Sequence, residues 1–457
     1  MLLGMTVVLP SLHPIQRYAG DQPSGPFGRG GEYRAPRIAV DRSSAPSGPA
    51  LDLLLDLGAN GHAELWSTVN ESLDATVTID LTSTDRNSIP VTTEYSDGRR
   101  SLGGIWPSDQ WTRFIDEYTA RSGAARSAVE GRFLVAAALM DRVDGLVVGD
   151  LDFGTAATFA ARANPMTPET ACALVGLAAR LRTDFSIAPV PRSLFHFLVA
   201  RGLLVEGWRW FAACAASSHA TNDDTMINVG QSGLERMARA VVSRDRCIGH
   251  DFNGKGDMAA EDAAYYFDVE LLMLSSALDS VARVAHVAHV VKGETYSVGW
   301  RREKGWRKAL KKAAPKLWAE TEPGTLARDA IELVAVLRNT IHGEGMRKIT
   351  VGTESSLDNQ LEIAQSDATA LDAILSRHGG SGEWGLTPGS HARLQPAPYA
   401  QQIVPLVAQA MNSLMRLTEV ERLPGVDSAA LMTGPPVADE LFRSDLTERL
   451  LLLTGLA

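Results

Sequence analysis

Cysteine is scarce in this chain: Cys172, Cys214 and Cys247 stand far apart and form no C-x-x-C pair. That spacing supplies neither a disulfide framework nor a cysteine zinc site, and it suits a reducing cytoplasm. Also lacking is a run of the ~20 apolar residues that a membrane-spanning helix needs, because Arg, Asp, Glu or His interrupts the richest segments. The opening MLLGMTVVLPSLHP has no basic flank and no small-residue cleavage site close behind it, which argues against a signal peptide. Positive charge is in deficit, with 44 Lys and Arg against 54 Asp and Glu and a formal charge of −10. Such a chain does not coat nucleic acid or an anionic membrane along its length, so a polyanionic partner must use a local patch. No internal repeat is present. These absences point to a soluble cytoplasmic protein with no membrane partner.

What is present is enough for more than one core. The chain has 457 residues, 45% hydrophobic and 21% charged, as in ordinary globular proteins. The expected class is α+β: a small N-terminal α/β domain followed by a predominantly helical region with a helical bundle. The expected order is a flexible leader over 1–50, an α/β domain over 51–155, a helical connector over 156–224, the bundle over 225–420 and a helical tail over 421–457.

The leader is rich in Pro, Gly, Ser and Arg and cannot bury enough apolar surface to offset ordering. Within it Arg37 to Val40 reads as a short strand ending on Asp41. In the α/β domain LDLLLDLG reads as a short helix, while ATVTIDL and IPVTTEY have the β-branched alternation of strands. Thr167 is placed to cap a helix with Pro168 at its first position. SLFHFLVARGLLVEGWRWFAACA and INVGQSGLERMARAVVSR read as one helix each, divided by SSHATNDD. From Ala259 to Val291 the apolar residues Phe267, Leu271, Leu274, Leu278, Val281, Ala285 and Ala288 recur at spacings of four and three, the pattern of a bundle helix. Leu357 to Arg377 reads as helical, and so does Pro398 to Thr418.

Two neighbouring stretches carry the chemistry. In GWRREKGWRKALKKAAPK, eight basic residues face one acid, Glu303, in a chain that is acidic overall. Arg301, Arg302, Lys304, Arg307, Lys308, Lys311 and Lys312 lie beside an apolar stripe. They form the best local site for RNA, with Trp300, Trp306 and Trp318 near enough to stack bases. Next comes LRNTIHG, closing a helix from Leu326 with Gly343 as its stop. Arg338 and His342 are four apart, so a permanent cation and a group titrating near neutrality share one helix face. When RNA is cleaved by its own 2′-hydroxyl, a proton donor or acceptor and a positive charge beside the phosphorane-like transition state suffice without metal or cofactor. His342 and Arg338 fit those roles, and Asn339 can hold a phosphate oxygen or orient the histidine. The plain alternative is an ion pair of Arg338 with Glu270 or Asp279.

A long helix bearing Glu270 and Asp279, then a basic helix, then a helix closing on Arg338-Asn339-x-x-His342 resembles the HEPN superfamily of small helical bundles. The resemblance covers roughly residues 225–420. It implies a metal-independent endoribonuclease, of the kind found among defence and toxin effectors, that acts as a homodimer; a protein partner or antitoxin is possible and not identified by the sequence. It also implies Arg338, Asn339 and His342 as the motif, with Glu270 or Asp279 as the supporting acid. Three residues separate Arg338 from His342, where the family usually has four or more. Some HEPN domains only bind RNA or protein, which is the alternative function. A second resemblance lies in AALMDRVDGLVVGDLDFG, similar to a late strand of PIN-like metal-dependent nucleases. It implies Asp150 and Asp152, followed by Phe153, with Asp41 or Asp80 from an earlier strand, around magnesium or manganese. His286 and His289, with Asp279 and Asp268 along the same face, read as a polar face or interhelix contact rather than a metal site. The GKG of RCIGHDFNGKGDM lacks P-loop spacing.

Overall fold

In a computed structural model of the chain, the described residues are 34–40, 47–67, 75–79, 89–95, 100–105, 144–147, 165–253, 257–294, 298–301, 305–343, 347–351, 358–429, 431 and 443–457. The chain divides into two units, Met1–Ile187 with Leu452–Gly455 and Ala457, and Ala188–Leu451 with Leu456. It is mainly helical, with small sheets, in keeping with the α+β expectation.

In the first unit the described elements are β1 (Arg37–Val40), α1 (Pro49–Ala59), β2 (Glu64–Ser67), β3 (Ala75–Ile79), β4 (Ile89–Tyr95), β5 (Arg100–Ile105), β6 (Gly145–Val147), β7 (Pro165–Met166) and α2 (Pro168–Leu181). A parallel sheet runs in the order β2-β1-β6-β7, and β3-β4-β5 is an antiparallel meander. Asp144, just before β6, joins the starts of β1 and β6. It accepts two hydrogen bonds of 2.6 Å from the Arg34 guanidinium and one of 2.7 Å from the Arg37 amide. Helix α1 buries Leu53, Leu54 and Leu57 and packs on α2. Helix α2 starts as its sequence implies, with the Thr167 side chain accepting from the Thr170 amide and Pro168 following.

The second unit contains α3 (Arg192–Leu203), α4 (Gly207–Thr221), α5 (Thr225–Asn253), α6 (Asp257–Ala288), α7 (Trp306–Ala313), α8 (Pro315–Ala319), α9 (Leu326–Gly343), β8 (Arg347–Val351), β9 (Asp358–Glu362), α10 (Gln365–Leu375), β10 (Leu386–Thr387), β11 (Arg393–Leu394), α11 (Pro396–Leu417) and α12 (Ser444–Thr454), the last with its end in the first unit. Helices α5 and α6 lie side by side, and α9 and α11 pack on α6 and on each other. The stripe from Phe267 through Leu271, Leu274, Leu278, Val281, Ala285 and Ala288 is buried, as its spacing requires. Within α6, Ala259–Ala288 is long and apolar enough to cross a membrane. Most of its most apolar window is buried inside the protein, which suits a core helix.

Two elements differ from the sequence reading. The run beginning SLFHFLVARGLL is two helices, turning between Leu203 and Gly207. Leu204 and Gly207 pass close there: a Cβ on Gly207 would lie 3.3 Å from the Leu204 Cβ and from Leu234 Cδ2. The run from Leu357, expected to be helical, begins as β9. That strand pairs antiparallel with β8 and β11, and long-range pairing overrides local helical preference.

Candidate functional site

The second unit has a half-open pocket of about 260 Å³ between α6, α9 and the segment 298–301. Helix α6 contributes Ser275, Leu278 and Asp279, which share a face at spacings of three and four. Helix α9 contributes Ile331, Val334, Ala335 and Arg338, again one stripe. The third wall is fixed by Trp300, whose indole N–H donates to the Leu278 carbonyl at 2.8 Å while its ring meets Trp306 edge-on. Tyr399 anchors α9 from behind, donating to the Leu333 carbonyl at 3.0 Å. Leu278, Trp300, Ile331 and Val334 back the pocket as buried residues, and its open surface is more polar than apolar, with Ser275, Asp279, Arg301 and Arg338 as the polar side chains.

Arg338 is half-buried and, among the described residues, makes no hydrogen bond or ion pair. It therefore does not form the structural pair with Glu270 or Asp279 weighed above. Asp279 lines the same pocket, so one of the two expected supporting acids does face the arginine's site. Asn339 is exposed at the next position. The backbone of α9 continues through Gly343 and puts position 342 one turn beyond Arg338 on the same face. The His342 side chain lies outside the description.

Glu270 does not belong to the pocket. It is 0% exposed, in the core beside Arg244 and Asp245 of α5, and neither carboxylate oxygen has a hydrogen-bond partner among the described residues. Burial pushes its carboxyl well above the ordinary range, Asp245 adds to the rise, and Arg244 opposes it. Its role as the supporting acid is corrected on that ground.

The basic segment is only partly an open cationic face. Lys308, Lys311 and Lys312 are exposed on α7, and the Lys311 ammonium sits 3.9 Å over the Trp318 ring. Arg301 is exposed at the pocket rim but pairs with Glu332 at 3.2 Å, and Glu332 also binds Arg328 at 2.7 Å. Arg307 is a correction: it is 5% exposed and donates to the Thr321 carbonyl at 2.9 Å and to Glu322 at 2.6 Å, so its guanidinium faces inward. Trp300 and Trp306 are also core residues, which leaves Trp318 as the half-buried ring of the three. Arg302 and Lys304 lie outside the described residues.

No family model, no curated protein and no solved structure matches this chain.

Among the described residues no group of three or more His, Cys, Asp and Glu is placed to hold a metal ion. His286 accepts the indole N–H of Trp306 at 3.1 Å. His289 is buried near Glu419, and burial lowers both imidazoles from their ordinary value. They make the interhelix contacts expected of a polar face. Asp41, Asp80, Asp150, Asp152, Phe153 and the GKG segment lie outside the described residues. What spacing did not reveal was the third wall of the pocket. The signal was Trp300, the first of two tryptophans, with Trp306, that bond to α6.

Proposed function

We propose that the chain is a metal-independent endoribonuclease whose α9 motif supplies the reacting edge, a HEPN-like arrangement working as a homodimer. The observation that carries this reading is Arg338, a guanidinium without a protein partner among the described residues, lining a pocket with the Asp279 carboxylate. A positive charge beside a concavity is suited to a phosphodiester. The ribose 2′-oxygen attacks phosphorus as its hydroxyl proton passes to solvent water, the bond from phosphorus to the 5′-oxygen breaks, and His342 delivers the proton that the leaving 5′-oxygen takes up. Arg338 stabilises the charge of the transition state, and Asn339 supports a phosphate oxygen. The exposed Lys308, Lys311 and Lys312 hold the strand by its backbone.

A non-catalytic RNA-binding or protein-interaction module is the second reading. It is favoured by the pairing of Arg301 with Glu332, which makes that rim a fixed recognition surface as readily as a reactive one. A metal-dependent PIN-like site around Asp150 keeps one supporting observation: β1 and β6, the strands before Asp41 and Asp150, are parallel neighbours.

Purified protein incubated with labelled RNA, with and without EDTA, separates the three. The leading reading predicts cleavage that survives EDTA and is lost in Arg338→Ala and in His342→Ala. Cleavage abolished by EDTA and by Asp150→Ala assigns the metal site instead, and binding without cleavage assigns the module.

A further inference from the structure

We propose that the corner between α7 and α8 binds single-stranded RNA by stacking one base on the Trp318 indole, with Lys311 leaving the ring to take a neighbouring phosphate; this rests on the nuclease reading for its biological substrate. The corner is made at Ala314, whose backbone (φ −142°, ψ 74°) leaves the helical region, ends α7 and lets Pro315 open α8. Its inner side is Trp306, Leu310 and Leu317, all buried. Its outer side carries Lys308, Lys311, Lys312 and Lys316, all exposed, and the half-buried Trp318. Within residues 305–322 Arg307 and Glu322 pair with each other, which leaves four lysines against Glu320. A polyanion therefore meets a surplus of positive charge here, in a chain of net charge −10.

Trp318 differs from Trp300 and Trp306, which are 2% exposed with their indole N–H groups bonded in the core. Among the described residues the Trp318 indole N–H makes no hydrogen bond and no other ring packs on it. What lies over its face is the Lys311 ammonium, 3.9 Å from the ring centre. The backbone beneath is fixed, since the Thr321 hydroxyl donates to the Trp318 carbonyl at 2.8 Å and Arg307 donates to the Thr321 carbonyl at 2.9 Å. A held ring is thus covered by an exposed, rotamer-rich cation. At such a site a base stacked on indole is the stronger contact and replaces the ammonium. The freed Lys311 takes a phosphate beside the stacked base, and Lys308 and Lys312, four apart on the same face of α7, take others. A duplex keeps its bases stacked on one another and offers this surface only phosphates, so the arrangement selects single strands.

The test is fluorescence anisotropy of the full chain with a labelled 2′-O-methyl RNA dodecamer of mixed sequence, alone, paired with its complement, and as an abasic strand of the same length. The methyl group removes the attacking hydroxyl, so the strands stay intact. The single strand is expected to bind about tenfold more tightly than the duplex or the abasic strand. Trp318→Ala, checked for an unchanged circular dichroism melt, is expected to lose about tenfold for the single strand and nothing for the duplex, and Trp318→Phe to retain most of the affinity. Lys311→Met keeps the side-chain length without its charge and is expected to flatten the slope of log affinity against log salt by about 0.7, one phosphate contact. Trp318→Ala is expected to leave that slope unchanged. Equal affinities for the single strand and the abasic strand, no binding of the single strand at submillimolar concentration, or a slope untouched by Lys311→Met overturn the proposal. Should Trp318→Ala unfold, the comparison with the abasic strand on the unaltered chain decides alone. Base-dependent binding of single strands without cleavage of unmodified RNA keeps the stacking site and sinks the nuclease reading. EDTA-resistant cleavage by a chain that binds abasic and intact strands equally does the reverse.

Discussion

Replacing Asp329 with alanine should loosen the second unit by about 2–3 kcal/mol. Asp329 lies in the first turn of α9, 4% exposed, and accepts from Arg377 at 2.6 and 2.9 Å and from His378 at 3.0 Å. These bonds clasp the residues just after α10 to the helix that carries Arg338. A hydrogen bond to a charged group contributes roughly 1.5–3 kcal/mol, and the three are not additive. The Arg377 side chain is 45% exposed and regains water when its partner is removed, which holds the loss below what a wholly buried pair would show. Burial raises the Asp329 carboxyl, but the hydrogen bonds and charges of Arg377 and His378 outweigh it and the net direction is down. A lowered folded value means the clasp contributes fully above the ordinary carboxylate value of about 3.9 and is lost as pH falls through the folded value. Trp384 reports on it directly, since its indole N–H donates to the His378 carbonyl at 2.8 Å. Urea unfolding followed by tryptophan emission at pH 7 should show the full difference between the unaltered chain and Asp329→Ala, and the difference should narrow below about pH 4. A change under about 0.5 kcal/mol at pH 7, or a difference unaltered at pH 3, would refute the reasoning.

Three further outcomes are expected. Val290 is 83% exposed and sits at φ 49° just past the end of α6, where a branched side chain is strained and gains no packing. Val290→Gly should therefore raise stability by about 0.5–1 kcal/mol in thermal unfolding. Arg307→Ala removes a buried guanidinium shared between Thr321 and Glu322 and should cost about 2–3 kcal/mol. The triple change of Lys308, Lys311 and Lys312 to alanine should leave the melting temperature within a degree or two while lowering RNA affinity. It should also flatten the slope of log affinity against log salt by about 2, as expected for three lost phosphate contacts to a single strand.

The long elements were legible because their residues agree locally with the fold. IPVTTEY coincides with β4, Thr167-Pro168 starts α2, and α9 begins at Leu326 and ends at Gly343 as its pattern implies. The turn between α3 and α4 was hidden because both helices bury apolar faces and the corner, Leu204-Val205-Glu206, carries one polar residue only. The strand β9 was hidden because its partners lie on β8 and β11, which no local period can announce. At the site, helical spacing placed Arg338 and Asp279 on usable faces, and both do line the pocket. Spacing failed for Arg307, which sits beside the apolar stripe as expected but is covered by the turn at Thr321 and Glu322. It failed for Glu270 for a related reason. Position alone puts a carboxylate on α6, and only the packing of α5 shows that Arg244 and Asp245 surround it in the core.

Mass spectrometry of the RNA ends left after incubation in EDTA tests the central claim most directly. Attack by the 2′-oxygen with protonation of the leaving 5′-oxygen predicts 2′,3′-cyclic phosphate and 5′-hydroxyl termini, and none of either with Arg338→Ala. Termini bearing 5′-phosphate and 3′-hydroxyl, or cyclic phosphate produced equally well by Arg338→Ala, would contradict it.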